Sequence, residues 1–267
     1  MALPPEPSET AGARGFRGAR APRPVTLSGL AFDPGTDCRL GVLAFGDSIT
    51  HGGGELQWGV ALQSWALWVA RGLGLPFTGH AVDGARVDGV LHEQIPAFEG
   101  RSARPRARYD LGCLYIGVND VRAPEWAAAA FERDFGAALA FLAAHCDRTL
   151  TLTAPLDLGR PRAGPRVPEL NAAIIRAAAG THSLVVDLSD LRARNWVMAD
   201  RVHPTAFGQV AIAERALDVL ARDGAPATVR PSTLIHYDTT RWKRLRGDAT
   251  YVYRYVKDGF RAAAKGS

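Results

Sequence analysis

Four short polar segments of this sequence combine residue types that can carry nucleophilic and acid–base chemistry. The first is Gly46-Asp47-Ser48-Ile49-Thr50-His51-Gly52-Gly53-Gly54. It follows the apolar run RLGVLAFG, so Ser48 comes directly after a buried strand and among small neighbours. A serine exposed at such a turn suits a nucleophile, and a following helix adds its N-terminal field and open amides. The same residues suit a phosphate cradle, or a glycine-rich turn that caps a helix. The second segment, Asp83-Gly84-Ala85-Arg86, offers a glycine whose N–H can approach a ligand closely, or a plain turn. The third, Gly117-Val118-Asn119-Asp120, places a side-chain amide where it could donate to developing negative charge, although Asn-Asp is also a common turn pair. The fourth is Asp200-Arg201-Val202-His203-Pro204, a carboxylate three residues before an imidazole. In a loop or single turn the Asp can reach the ring, fix its tautomer and support the imidazolium formed in catalysis. A lone His–Asp pair on the surface is common. What raises this one is its position relative to Ser48 and Asn119.

That position follows from the elements around it. Strand-like runs alternate with helix-like runs over residues 39–222. The strand candidates end at Gly46, Val82, Gly117, Pro155 and Ser189. They are short, apolar and rich in β-branched residues with little strict alternation, as strands buried on both faces of a parallel sheet are. Between them VALQSWALWVARGLG, EWAAAAFERDFGAALAFLAAHC, VPELNAAIIRAAAG and PTAFGQVAIAERALDVLARDG carry apolar residues at helical spacing. RVDGVLHEQIPAF is a weaker helix, because Pro96 is expected to stop or bend it. The alternation predicts an α/β fold, a doubly wound three-layer sandwich on a central, mainly parallel five-stranded sheet. Ligands of such sheets sit at the C-terminal strand ends, where Ser48, Asn119 and His203 all fall.

Taken together, the four segments resemble the SGNH (GDSL) hydrolase family over residues 39–222. The first matches as GDSIT, with Ile49 where the family's short name has Leu; the third as GVND; the last as DRVHP, the family's Asp-x-x-His. The second is looser. Gly84 fits, but the family often carries an Asn shortly before it, and here His80-Ala81-Val82-Asp83 precede it. The resemblance implies a serine hydrolase of the esterase type. Ser48 would attack the acyl carbonyl, His203 would take its proton and later activate water, and Asp200 would orient His203. The backbone N–H groups of Ser48 and Gly84 and the side chain of Asn119 would hold the oxyanion, with Asp47 in support. Trp58 and Val121 are candidate substrate contacts. No metal or other cofactor is implied; His51 and Glu55 lack a second cluster at ligand spacing. The substrate would be a small-molecule or lipid acyl ester. An acyltransferase or thioesterase would use the same site, and a flavodoxin-like nucleotide binder shares the alternation. Arg86 and Arg122 could face an anionic substrate or simply solvent. Residues 158–168 are expected to border the cleft as a basic rim or as mere linker.

Composition sets the remaining bounds. At 267 residues the chain suits one sizeable domain with appendages: an arm over 1–37, a hydrolase domain over 38–223 and an extension over 224–267. The arm lacks the apolar stretch of a secretory signal. Cys38, Cys113 and Cys146 make no disulfide framework, which with the absence of a membrane-length apolar run suggests a cytoplasmic protein. The net charge of +5 is concentrated in the extension, where nine Lys or Arg face three Asp or Glu after Gly224. No nucleic-acid-binding motif accompanies it. Within the extension Trp242, Leu245, Ala249, Val252, Val256 and Phe260 recur at spacings of three or four, with Lys and Arg mostly elsewhere on the wheel. Such a basic amphipathic helix can lie on an anionic membrane or across a homo-oligomer contact, or pack back on its own domain.

Overall fold

The computed structural model describes residues 40–101, 108–159 and 162–265. The arm over 1–37, Cys38 and part of the loop 158–168 lie outside the described residues. Five strands form one parallel sheet: β1 (Val42–Gly46), β2 (Phe77–Gly79), β3 (Tyr109–Tyr115), β4 (Cys146–Leu152) and β5 (Leu184–Val186), in the order β2-β1-β3-β4-β5. From β1 the chain goes to β2 on one side and then crosses to β3 on the other. This reversal opens a crevice at the C-terminal ends of β1 and β3. Burial on both faces explains why the central strands read as continuous apolar runs: Val42, Leu43, Ala44 and Phe45 have no exposed surface.

Around the sheet lie α1 (Ser48–His51), α2 (Trp65–Leu73), α3 (Val87–Gly89), a π-helical segment (Val90–Gln94), α4 (Ile95–Arg101), α5 (Ala128–His145), α6 (Arg166–Gly180), α7 (Ala206–Arg222), α8 (Pro231–Leu234) and α9 (Arg241–Lys265). Helix α2 packs with α7, and α5 with α6. Caps fix where they begin. Ser64 accepts from the Ala66 N–H at the start of α2, and Thr205 from the Gly208 N–H at the start of α7. Trp65, Phe45, Tyr115 and Phe135 fill the core between the layers.

Of the two effects expected of Pro96, a stop or a bend, the stop does not occur, for helical turns lie on both sides of it. It is the second residue of α4, directly after the π-helical segment, in which the Ile95 N–H bonds the Val90 carbonyl. A proline ring normally presses on the carbonyl four residues back and leaves it without a donor. The wider π turn eases both problems by passing the proline from a looser preceding turn. It also turns Gln94 inward against β1, where that side chain has a task described below.

Helix α9 differs from the self-packed alternative. The residues it turns toward the domain are Asp248, Tyr251 and Tyr255, while Trp242, Leu245, Val252, Val256 and Phe260 are exposed. Asp248 pairs with Arg194, and Arg254 with Glu55 at 2.6 Å. Arg194 lies over the ring of Tyr251 and Arg201 over that of Tyr255. Among the described residues no helix is long and apolar enough to cross a membrane.

Candidate active site

The turn that carries Ser48 begins where β1 ends. Gly46 has φ +152, and a Cβ there would come within 2.4 Å of the Tyr115 carbonyl oxygen, so the position requires glycine. Its peptide is gripped by one buried amide: the Gly46 N–H donates to Gln94 Oε1 at 3.0 Å, and Gln94 Nε2 donates to the Gly46 carbonyl at 2.8 Å. Asp47 then caps α1, its Oδ1 accepting from the Ile49 N–H at 2.9 Å. Ser48 is the first residue of α1, where backbone N–H groups have no acceptor within the helix. A second buried amide braces the far side of the turn. Gln209 of α7 donates to the carbonyls of Ile49 and Gly53 at 3.0 and 3.1 Å and accepts from the Trp65 N–H at 2.8 Å.

Ser48 Oγ lies 2.9 Å from His203 Nε2, and His203 Nδ1 lies 2.7 Å from Asp200 Oδ2. The other Asp200 oxygen accepts from the N–H groups of Val202 and His203 at 2.9 and 3.1 Å. Arg201 between them takes φ +59, which folds the four residues into one tight turn. Burial alone would raise the Asp200 carboxyl. The hydrogen bond from His203 and those from the backbone outweigh it and hold the group below its ordinary value. The bond to Asp200 lifts the His203 imidazole above its ordinary 6.5, against the opposing effect of burial. A serine hydroxyl, an imidazole and a carboxylate in this sequence form a proton path away from the serine oxygen.

The remaining groups gather at the same sheet edge. After β2 the backbone continues beside β1, with the His80 N–H on the Ala44 carbonyl and the Val82 N–H on that of Gly46. This delivers Gly84, exposed and at φ +75, next to the turn that carries Ser48. Asn119 Nδ2 donates to the Ala85 carbonyl at 2.9 Å, which leaves one amide hydrogen for another acceptor. The neighbouring Asp120 accepts from the Val87 N–H at 3.0 Å. Both members of the Asn-Asp pair thus tie the strand end of β3 to the segment that carries Gly84. Two buried carboxyls flank the site. Burial, only partly offset by the Ile49 N–H and by His203, pushes Asp47 from 3.8 up to about 7. Burial likewise pushes Asp120 up to about 6, against its bond from Val87.

Other residues singled out from the sequence lie elsewhere. Trp58 packs on Phe207 and Tyr237, with ring centroids 5.4 and 6.3 Å away. It lines a cavity of about 290 Å³ together with Arg194, Met198, Arg246 and Tyr251, a space that Ser48 and His203 do not border. Val121 has no exposed surface and belongs to the core. Arg86 pairs with Glu125, and His51 with Asp83 at 2.8 Å. Arg122 is exposed, and its charge opposes protonation of His203. Among the described residues no three His, Cys, Asp or Glu side chains gather as a metal site, and Cys113 and Cys146 are buried free thiols. Gln94 and Gln209 were not legible in the sequence as parts of the site. Their only signal is an amide on an otherwise apolar helix face.

Comparisons with known proteins bear on the family and the fold. A sequence model of the GDSL-like lipase/acylhydrolase family matches residues 44–211. Among solved structures, a member of the lipolytic G-D-S-L family from Veillonella parvula is 22% identical, with a TM-score of 0.55 over 68% of this chain and 98% of that one. An α/β hydrolase from the metagenome of Lake Arreo is 19% identical, with a TM-score of 0.54 over 70% and 97%. The acetylxylan esterase of Geobacillus stearothermophilus is 19% identical, with a TM-score of 0.52 over 69% and 95%. These likenesses establish a shared fold. No curated protein sequence matches the chain.

Proposed function

Because the chain belongs to the GDSL-like lipase/acylhydrolase family and is a carboxylic ester hydrolase, we propose that it works through an acyl-enzyme on Ser48. The observation that carries this reading is the unbroken chain Ser48 Oγ–His203 Nε2 at 2.9 Å and His203 Nδ1–Asp200 Oδ2 at 2.7 Å. In the first half-reaction Ser48 Oγ attacks the ester carbonyl carbon while its proton passes to His203 Nε2. The carbonyl oxygen becomes an oxyanion, for which the N–H groups of Ser48 and Gly84 and the second amide hydrogen of Asn119 are the donors at hand. Collapse expels the alcohol, which leaves with the proton held by His203. In the second half-reaction His203 takes a proton from water, the hydroxide attacks the acyl carbon, and the acid leaves as Ser48 regains its proton. Asp200 keeps the ring in the tautomer that presents a bare Nε2 to the serine.

Metal chemistry is not required for this sequence of steps, and Asp47 takes part through structure: its cap orients the first turn that carries Ser48. Ser48→Ala is expected to abolish labelling by a fluorophosphonate probe and turnover of an aryl ester while leaving thermal unfolding close to that of the parent. Full activity in that variant would overturn the mechanism. Adding an alcohol acceptor and analysing products separates hydrolysis from acyl transfer at the same serine.

A further inference from the structure

Helix α9 carries a row of large apolar side chains that its own domain leaves uncovered. Trp242 is 79% exposed, Phe260 75% and Tyr253 65%, and Leu245, Val252 and Val256 are exposed beside them. At 3.6 residues per turn these six fall within an arc of about 100°. The arc that meets the domain is a different one. It includes Arg244, Asp248, Tyr251 and Tyr255, joined by Arg254 from one side, and it holds the helix by ion pairs and cation–π contacts with Glu55, Trp58, Arg194 and Arg201. A helix that served the core would show the reverse arrangement, with its apolar arc inward and its charges outward.

Charge selects what covers the outer arc. Eight Lys or Arg and two Asp lie within Arg241–Lys265, a balance of +6. Arg246, Lys257 and Lys243 follow one another along one border of the apolar arc. A second copy laid against this helix would bring like charges together. A duplex nucleic acid would use the cations but not the apolar row, and a single strand would leave Leu245, Val252 and Val256 uncovered. An anionic lipid surface uses both: aromatic and aliphatic side chains enter at headgroup depth while Lys and Arg meet the acidic headgroups. We propose that α9 docks the protein on a lipid surface rich in anionic headgroups. Its inner arc rests on the loop after α1 through Glu55 and on the loop that carries Asp200 and His203 through Arg194 and Arg201. Docking therefore brings the two loops of the candidate active site to that surface.

The test uses the full chain and measures binding without turnover, so its outcome is independent of the acyl-enzyme reading. In flotation with phosphatidylcholine vesicles, the bound fraction is expected to rise when phosphatidylserine is included and to fall with added salt. Trp242→Ser with Phe260→Ser should weaken binding by about tenfold or more, since two large apolar anchors are lost. Lys243→Gln with Lys257→Gln should weaken it by about tenfold at low salt. Turnover of a soluble ester should be unchanged in both variants, because Ser48 and His203 do not border the cavity that Lys243 lines and the other altered side chains are exposed. Binding that ignores phosphatidylserine, or that survives loss of Trp242 and Phe260, overturns the proposal. So does a dimer in sedimentation velocity that the Trp242→Ser/Phe260→Ser change dissociates, for then the apolar row is a contact between copies.

Discussion

Asp47 offers the sharpest physical test of the turn that carries Ser48. Its carboxyl is fully buried, one oxygen accepts from the Ile49 N–H, and the other has no hydrogen-bond partner among the described residues. Burial therefore penalises the charged form and lifts the group from 3.8 to about 7. Between those two values the folded protein holds a proton that the unfolded chain has released. By linkage, stability then falls as pH rises through that window. The contribution is fully present below about pH 4, declines up to about pH 7 and is constant above it. Moving a carboxyl over that span corresponds to about 4 kcal/mol. Asp47→Asn keeps an oxygen for the Ile49 N–H and cannot ionise, so it removes the pH dependence and leaves the cap. Urea unfolding of both proteins at intervals from pH 4 to pH 8 measures the difference directly. The parent should lose up to about 4 kcal/mol relative to the variant across that range. A difference that stays constant to within about 1 kcal/mol would show that Asp47 is ionised throughout and that burial of the turn does not have the effect argued here.

Four further outcomes follow from the contacts of the site. Asn119→Ala should lower kcat by about 10²–10³-fold with little change in KM, if its free amide hydrogen meets the oxyanion; a change confined to KM would make it a substrate-binding group. The rate should rise with pH as His203 loses its proton, with the midpoint above the ordinary imidazole value because Asp200 holds the ring protonated. Asp200→Asn should move that midpoint to lower pH and cut kcat by about 10³–10⁴-fold, and an unshifted midpoint would refute the assigned cause. Gln209→Leu strands the Trp65 N–H and the carbonyls of Ile49 and Gly53, so thermal or urea unfolding should show a loss of about 3 kcal/mol or more.

How far the sequence disclosed all this depends on the range of the interactions. Asp200 and His203 are three residues apart and bond within their own turn, so their spacing alone suggested the pairing. The strands showed themselves because burial on both faces leaves a continuous apolar run. Gln94 and Gln209 reach partners 48 and 160 residues away, and nothing local marks either one. Pro96 does not end its helix, because the ordinary α-turn that its usual effect presumes is replaced before it by a π turn. The amphipathic pattern of α9 was plain, but hydropathy does not say which arc faces home. That was decided by Asp248, Tyr251, Tyr255 and Arg254, whose partners lie in two distant loops.

The turn from Asp200 to His203 satisfies itself: one carboxylate oxygen takes two backbone donors and the other takes the ring. The imidazole and the carboxylate bonded to it are therefore a single prefabricated part, assembled within four consecutive residues. The serine turn is another, clamped by Gln94 and Gln209. One joint, the 2.9 Å contact between Ser48 and His203, connects the two parts chemically. The backbone bridge between Glu55 and Thr205 splices them mechanically a few residues away. The two turns are thus registered at several points, the bonds of Gln209 from α7 among them. If Ser48 and His203 react as proposed, substitutions near the splice are expected to change the rate without altering either residue.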